Sequence, residues 1–225
     1  MPMASYTALF DLDGTLTDPQ VGITTCIAHA LSSLGEPVPG IEELRDWIGA
    51  PLHETFSAHL GSDDRADEAL RLYRARFSTK GLFENEPYAG ISAALEAIAE
   101  RADRLFVVTS KPRPFAEQII EHFELAGFFE RVYGSELDGR FARKTDLMEH
   151  VLARESIDAS RAVMVGDRRY DIDAARAHRV HSIGVLWGFG DRPELEEAGA
   201  DAICADVPAL PAAVLAPLDR RCTKR

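Results

Sequence analysis

From residue 88 onward, short apolar runs alternate with stretches whose apolar positions recur at helical spacing. That is the pattern of a parallel sheet covered by helices. It predicts strands at 7–10, 104–109, 131–134, 161–165, 181–186 and 202–204. Between them it predicts helices near 91–101, 114–123, 144–155, 171–177 and 194–198. Pro114 suits the first turn of a helix, where its missing N–H has no intrahelical partner to lose. Gly127 and Gly166 punctuate the ends of elements.

The stretch 19–86 breaks the alternation, with helical spacing and no convincing buried strand. Ile23, Ile27, Ala30, Leu31 and Leu34 mark one amphipathic face, and Leu70, Tyr73, Arg74 and Phe77 suggest another. Gly35-Glu36-Pro37, Gly49-Ala50-Pro51 and Gly61-Ser62 read as loops. The expected fold class is therefore α/β, a parallel sheet with helices on both faces and an inserted α-helical cap. The core domain takes 1–18 and 87–218, the cap 19–86, and 219–225 is expected to be a disordered tail. A helical lid placed beside a charged turn can close over a substrate and exclude water.

At the end of the first predicted strand stands Asp11-Leu12-Asp13-Gly14-Thr15, two carboxylates one residue apart followed by a glycine turn. Side chains alternate along a strand, but a tight turn at the second Asp can aim both at one point. Two anions held that close repel unless a cation or a shared proton intervenes. The pair alone is compatible with an ordinary Asp-Gly turn. Three further polar islands also fall at strand ends or helix starts, where open α/β sheets gather their ligands. These are Thr109-Ser110 after an apolar run, Lys144 at a helix start, and Gly166-Asp167 with Asp171. Thr109, Ser110 and the N–H groups after them can bind phosphate oxygens.

Composition narrows the partners. With 37 acidic against 25 basic residues the net charge is −12, which disfavours nucleic acid and anionic membranes. Local metal and lysine charge can still draw a small anion into a cleft. The 225 residues include three widely spaced cysteines, Cys26, Cys204 and Cys222, which suggest neither a disulfide framework nor a zinc site. A reducing cytoplasm is expected. The start, Met1 to Ser5, carries no basic segment ahead of a long apolar stretch, so neither a signal peptide nor a membrane span is expected.

In this order and spacing the four islands resemble the motifs of the haloacid dehalogenase superfamily of phosphatases and phosphotransferases. The resemblance runs through nearly the whole chain and is weakest in the inserted segment. It implies a Rossmann-like core with a helical cap. Asp11 is then the nucleophile that forms an aspartyl-phosphate, Asp13 the acid and base for the leaving oxygen and the water, and Lys144 the third catalytic group. Thr109 and Ser110 take the substrate's phosphoryl oxygens, with Leu12 placed beside them. Mg2+ would be held by Asp11, Asp13 through its backbone carbonyl, and Asp167, with Asp171 orienting a bound water or Lys144. Asp13 also favours phosphoryl transfer over dehalogenation, because halide leaves without a proton.

The cap resembles those of phosphoglycolate phosphatases and of bacterial 5′-nucleotidase-like hydrolases. Thr109-Ser110-Lys111-Pro112 and Gly134-Ser135-Glu136-Leu137-Asp138-Gly139 are closer to the second group. After Lys144 stands Thr145, where phosphoglycolate phosphatases usually carry proline. Arg45 and His53 are the cap's candidates for substrate contact. The expected ligand is a small phosphorylated metabolite, with no nucleic acid or membrane partner, in a monomer or homodimer. A phosphomutase or a protein phosphotransferase would use the same motifs. A signalling receiver also gathers acidic residues, a hydroxyl and a lysine, but it is about half this length and phosphorylates an interior strand, whereas Asp11 follows the first.

Overall fold

The computed structural model describes residues 6–222, so the start of the chain and residues 223–225 lie outside the described residues. In chain order the elements are β1 (Thr7–Phe10), β2 (Thr17–Asp18), α1 (Gln20–Ser33), α2 (Ile41–Asp46), α3 (Leu52–Leu60) and α4 (Asp63–Arg76). A π-helical turn (Phe77–Gly81) leads to β3 (Glu86–Pro87), α5 (Ile91–Ala99), β4 (Arg104–Pro112), α6 (Arg113–His122), β5 (Arg131–Ser135) and α7 (Lys144–Glu155). The chain continues through β6 (Ala162–Gly166), α8 (Arg169–Ala177), β7 (His181–Val185), α9 (Arg192–Ala198), β8 (Ala202–Cys204) and α10 (Leu210–Cys222).

Six strands form one sheet in the order β5-β4-β1-β6-β7-β8, with every pair parallel. This is the expected α/β class. Strand β1 is buried at all four positions because both faces are covered. Ala8 and Phe10 join the larger core with Ile98 of α5, Ile119 of α6 and Leu210 of α10. Leu9 points the other way, into a cluster with Leu147 and Val151 of α7 and Ala174 of α8. Among the described residues no helix is long and apolar enough to cross a membrane.

The topology decides where a ligand can sit. The chain adds β4 and β5 on one side of β1, then returns to place β6 on the other. The carboxyl end of β1 is thus a switch point, the crevice in which open sheets bind ligands. Phe10 is in register with Val107 of β4 and Val165 of β6, so the residues after these positions emerge side by side. The Asp11 N–H continues the ladder by donating to the Val165 carbonyl at 2.9 Å.

Helices α1 to α4 leave and return through a two-stranded antiparallel ribbon in which Thr17 pairs with Pro87 and Asp18 with Glu86. Each of its strands has two residues, too few for a period-two pattern to be read. Helix α10 packs its Leu210 and Val214 into the core beside α5, and its helical backbone extends to Cys222, into the stretch expected as a tail.

Candidate active site

Asp11, Asp13, Lys144, Asp167 and Asp171 are all buried at the carboxyl edge of the sheet. The turn after β1 brings the first pair round. Gly14 adopts φ +81° there, and a Cβ on it would stand 2.1 Å from Asp167 Oδ2, so a side chain is excluded twice over. Lys144 opens α7, and its ammonium lies 2.8 Å from Asp11 Oδ2 and 2.5 Å from Asp171 Oδ1. Asp171 sits in the first turn of α8 and also accepts from the Arg168 N–H at 3.1 Å. Both of its oxygens are therefore engaged.

Asp167 is different. It is fully buried, and its oxygens accept from the Thr15 hydroxyl at 3.3 Å and the Phe189 N–H at 2.8 Å, with no direct ion pair to a lysine or arginine among the described residues. Burial, followed by the neighbouring Asp171 and Asp11, pushes its carboxyl well above the usual range. Burial likewise lifts Asp171, against the pull of Lys144, to about 6. For Lys144, burial alone would lower the ammonium, but the paired Asp11 and Asp171 carboxylates overcome it and hold it above the ordinary lysine range.

Carboxylate oxygens of Asp11, Asp167 and Asp171 lie within 4.8 Å of one another. Three buried carboxylates against one ammonium leave an excess of negative charge that a cation would neutralise. An all-oxygen donor set suits a hard divalent ion.

Asp13 does not join that cluster through its side chain. Its Oδ2 accepts from Lys111 Nζ at 2.5 Å, while Oδ1 is buried with no hydrogen-bond partner among the described residues. Burial raises the Asp13 carboxyl, and Lys111 works against that rise. Lys111 was assigned no role from the sequence. It lies on β4, which continues through Pro112 with a shift of register after Val108, three residues beyond the expected end. Its ammonium also stands 4.7 Å from the centre of the Phe77 ring, at the start of the π-helical turn.

Asp11 and Asp13 open on a cavity of about 420 Å³ between the sheet edge and the cap, where residues 47–51 and helices α3 and α4 face it. Thr109, Ser110 and Lys111 line it beside them. The Leu12 side chain is buried, and its N–H donates to Asp11 Oδ1 at 2.8 Å. His53 lines the cavity with Nε2 3.1 Å from Asp67. Arg45 is not brought there. It lies on the short helix α2, 3.8 Å from Glu42, and is absent from the cavity wall. Six residues of α2 bury only Leu44, so the arginine stays with its neighbour on the surface.

The chain is similar to known proteins along most of its length. A 5′-nucleotidase of Pseudomonas aeruginosa is 44% identical over 203 residues, 90% of this chain and 92% of that protein. The tyrosine-protein kinase PtkA of Mycobacterium tuberculosis is 41% identical over 182 residues, 81% of this chain but 62% of the kinase. The solved structure of a predicted phosphatase from Clostridium acetobutylicum superposes with a TM-score of 0.91 at 38% identity, covering 95% of this chain and all of that one. Residues 8–185 match the family model of haloacid dehalogenase-like hydrolases, a span that begins in β1 and ends in β7. By that match and those relatives, the chain belongs to the haloacid dehalogenase-like hydrolase family.

Proposed function

We propose that the protein is a magnesium-dependent phosphatase that hydrolyses a small phosphomonoester through an aspartyl-phosphate on Asp11, with a neutral, partly planar leaving group such as a nucleoside. The observation that carries this reading is the meeting of Asp11 and Asp13 at one end of the cavity, each paired with its own lysine. Lys144 faces the nucleophile, and Lys111 faces the acid.

The ester binds with its phosphoryl group at the mouth formed by Asp11, Thr109 and Ser110. A carboxylate oxygen of Asp11 attacks phosphorus in line, forming an acyl-phosphate bond as the ester oxygen departs. Asp13 supplies the proton to that oxygen; its unpartnered Oδ1 is the atom free to carry it. Water then enters, Asp13 takes its proton, and the resulting nucleophile cleaves the acyl-phosphate to release inorganic phosphate and restore Asp11. Lys144 stays beside the reacting carboxylate throughout and offsets the charge of the phosphoryl oxygens. Asp11, Asp167 and the Asp13 backbone carbonyl would hold magnesium, which when bound would supply positive charge between the two anions. Asp171 holds Lys144.

The leaving group is read from the rest of the cavity. Trp47, Tyr73, Phe77 and Phe115 give it aromatic walls, which suit a planar ring. Its outer polar residues are Asp67, Glu136 and Asp138 against Arg74, with His53 held by Asp67. That balance repels a carboxylate such as glycolate. The 5′-nucleotidase relative supports the same choice. Phosphate release should be measured with magnesium across nucleoside 5′-monophosphates, phosphoglycolate, hexose phosphates and pyrophosphate. The expected order puts a nucleoside monophosphate at least about tenfold above phosphoglycolate in kcat/KM, the margin of one buried charge mismatch. Phosphoglycolate as the better substrate would reject the leaving-group assignment.

Similarity to PtkA favours one second reading, transfer to a protein tyrosine. ATP-dependent labelling of a protein acceptor that survives Asp13→Asn would favour that reading over hydrolysis.

The cation has its own test, independent of turnover. Saturating magnesium at about a hundred times its Kd adds about 2.7 kcal/mol to folding stability. For a chain of this size that raises Tm by roughly 5–10 °C, and chelator returns it to the starting value. Asp167→Asn is expected to remove most of the magnesium response while leaving the metal-free Tm no lower, since it takes one charge from the cluster. No magnesium shift in the native protein would reject the cation assignment.

A further inference from the structure

Arg168 follows Asp167 directly, yet its side chain leaves the sheet edge and reaches the cap. Its guanidinium NH1 donates to the Ile48 carbonyl and, at 3.3 Å, to that of Asp46. Its Nε donates at 2.9 Å to Glu194 of α9, whose same oxygen accepts from the Arg169 N–H at 2.8 Å. One planar cation is thus anchored to the core at one edge and to the loop between α2 and α3 at the other. Asp46 ends α2, so the guanidinium meets carbonyls at a helix C-terminus, where a positive charge is favourable.

The stem of the arginine is engaged as well as its head. Gly49 packs on it so closely that a Cβ there would stand 2.9 Å from Arg168 Cγ, and Gly49 has φ +89°. The loop 47–51 that it supports lines the cavity at every position. Trp47 in turn packs edge-on against Phe56 and His59 of α3. Nothing else assigned to the site uses Arg168. Its backbone N–H serves Asp171, but its side chain faces away from the carboxylate cluster toward the cap.

We propose that Arg168 is a positioning residue for substrate selection, fixing the cap loop 47–51 at a set distance from the phosphate-binding edge. The proposal rests on the reading that this cavity holds the ester. Loop 47–51 meets the leaving group, whereas Asp11, Asp13 and Lys144 meet the phosphoryl group. A change at Arg168 therefore acts on recognition of a bulky leaving group more than on the chemical step.

The test compares native protein with Arg168→Met, which keeps much of the stem under Gly49, and Arg168→Lys, which keeps the charge but cannot fork between Glu194 and two carbonyls. Steady-state kinetics are read on a nucleoside 5′-monophosphate and on a small ester, methyl phosphate. Hydrogen exchange is read at the Ile48 and Ala50 amides, both hydrogen-bonded within the turn. Arg168→Met is expected to raise KM for the nucleotide by about tenfold, the scale of losing hydrogen bonds to a charged donor, with kcat changed less than KM. KM for methyl phosphate stays within about twofold, exchange at 48 and 50 speeds up, and Arg168→Lys falls between native and Met. Native exchange rates in a folded Arg168→Met protein would overturn the tether. An equal loss of kcat on both esters would also overturn the proposal, by showing that Arg168 acts on the neighbouring Asp167. If the native protein released phosphate from no ester, the hydrolase reading would fail alone, and the exchange data would still judge the tether.

Discussion

Asp11→Asn is expected to lower phosphate release by on the order of 10⁴-fold or more, the scale seen when a covalent nucleophile is removed. The amide matches the carboxylate in size and can still accept the Leu12 N–H at Oδ1. Lys144 loses one of its two carboxylate partners but keeps Asp171 at 2.5 Å, so the fold has no reason to fail. The loss then lies in chemistry alone, because an amide oxygen is a poor nucleophile toward phosphorus. Phosphate release is measured beside the melting curve, and mass spectrometry looks for a phosphoryl adduct on the peptide holding Asp11. Asp13→Asn makes the complementary case. With a leaving group that departs without a proton, such as p-nitrophenolate, the acyl-phosphate should form and accumulate, because the water lacks its base. Retained turnover in Asp11→Asn would remove the covalent mechanism, and an adduct on another residue would move it.

Much of this arrangement could be read along the chain because it lies at the ends of apolar runs. The ends of β1 and β6, and residues 105–108 within β4, are buried on both faces, so each reads as an unbroken apolar run with polar residues directly after it. Lys144 was legible for a related reason, a lysine at a helix start where the dipole disfavours it. Lys111 was not, because the expected strand stopped at residue 109. Extended by two residues, the period-two rule would have set Lys111 on the same face as Thr109, and both are indeed buried with Ser110 between them less so. Asp13 is expected at the ion through its backbone carbonyl alone, which leaves its carboxylate to pair with that same lysine.

The cap was harder to read. Its helices show amphipathic spacing, but nothing in a six-residue helix distinguishes an inward arginine from an outward one. Arg45 turned out beside Glu42, while the arginine that does reach the cap loop, Arg168, comes from the core. Contacts across 120 or more positions leave no local pattern. Helix α10 is hidden by Pro211 and Pro217 and by the basic residues at its end, although Leu210 and Val214 fall on one helical face.

Lys144→Met should be the most destabilising single change at the site. The ammonium is buried between Asp11 and Asp171, and removing it leaves three buried carboxylates facing one another with no direct counter-ion in the cluster. Breaking a buried pair by deleting one partner costs about 3–5 kcal/mol, here spread over two carboxylates. For a chain of this length that is a fall in Tm of roughly 6–20 °C. The loss should depend on pH in a definite sense. Asp171 titrates near 6 in the folded protein against 3.8 for a free side chain, so it binds its proton more tightly when folded. Its contribution favours folding below 3.8 and is lost as pH rises through about 6. Without the ammonium the folded value rises further, so the gap in Tm between native and variant widens as the solution is taken from about pH 5 to about pH 8. Magnesium should recover part of the gap by replacing the missing positive charge, whereas phosphate release stays depressed by about 10²–10³-fold because no ammonium faces the phosphoryl oxygens. A variant as stable as the native protein at both pH values would mean that Lys144 is not the charge balancing Asp11 and Asp171, and the electrostatic account of the site would fall with it.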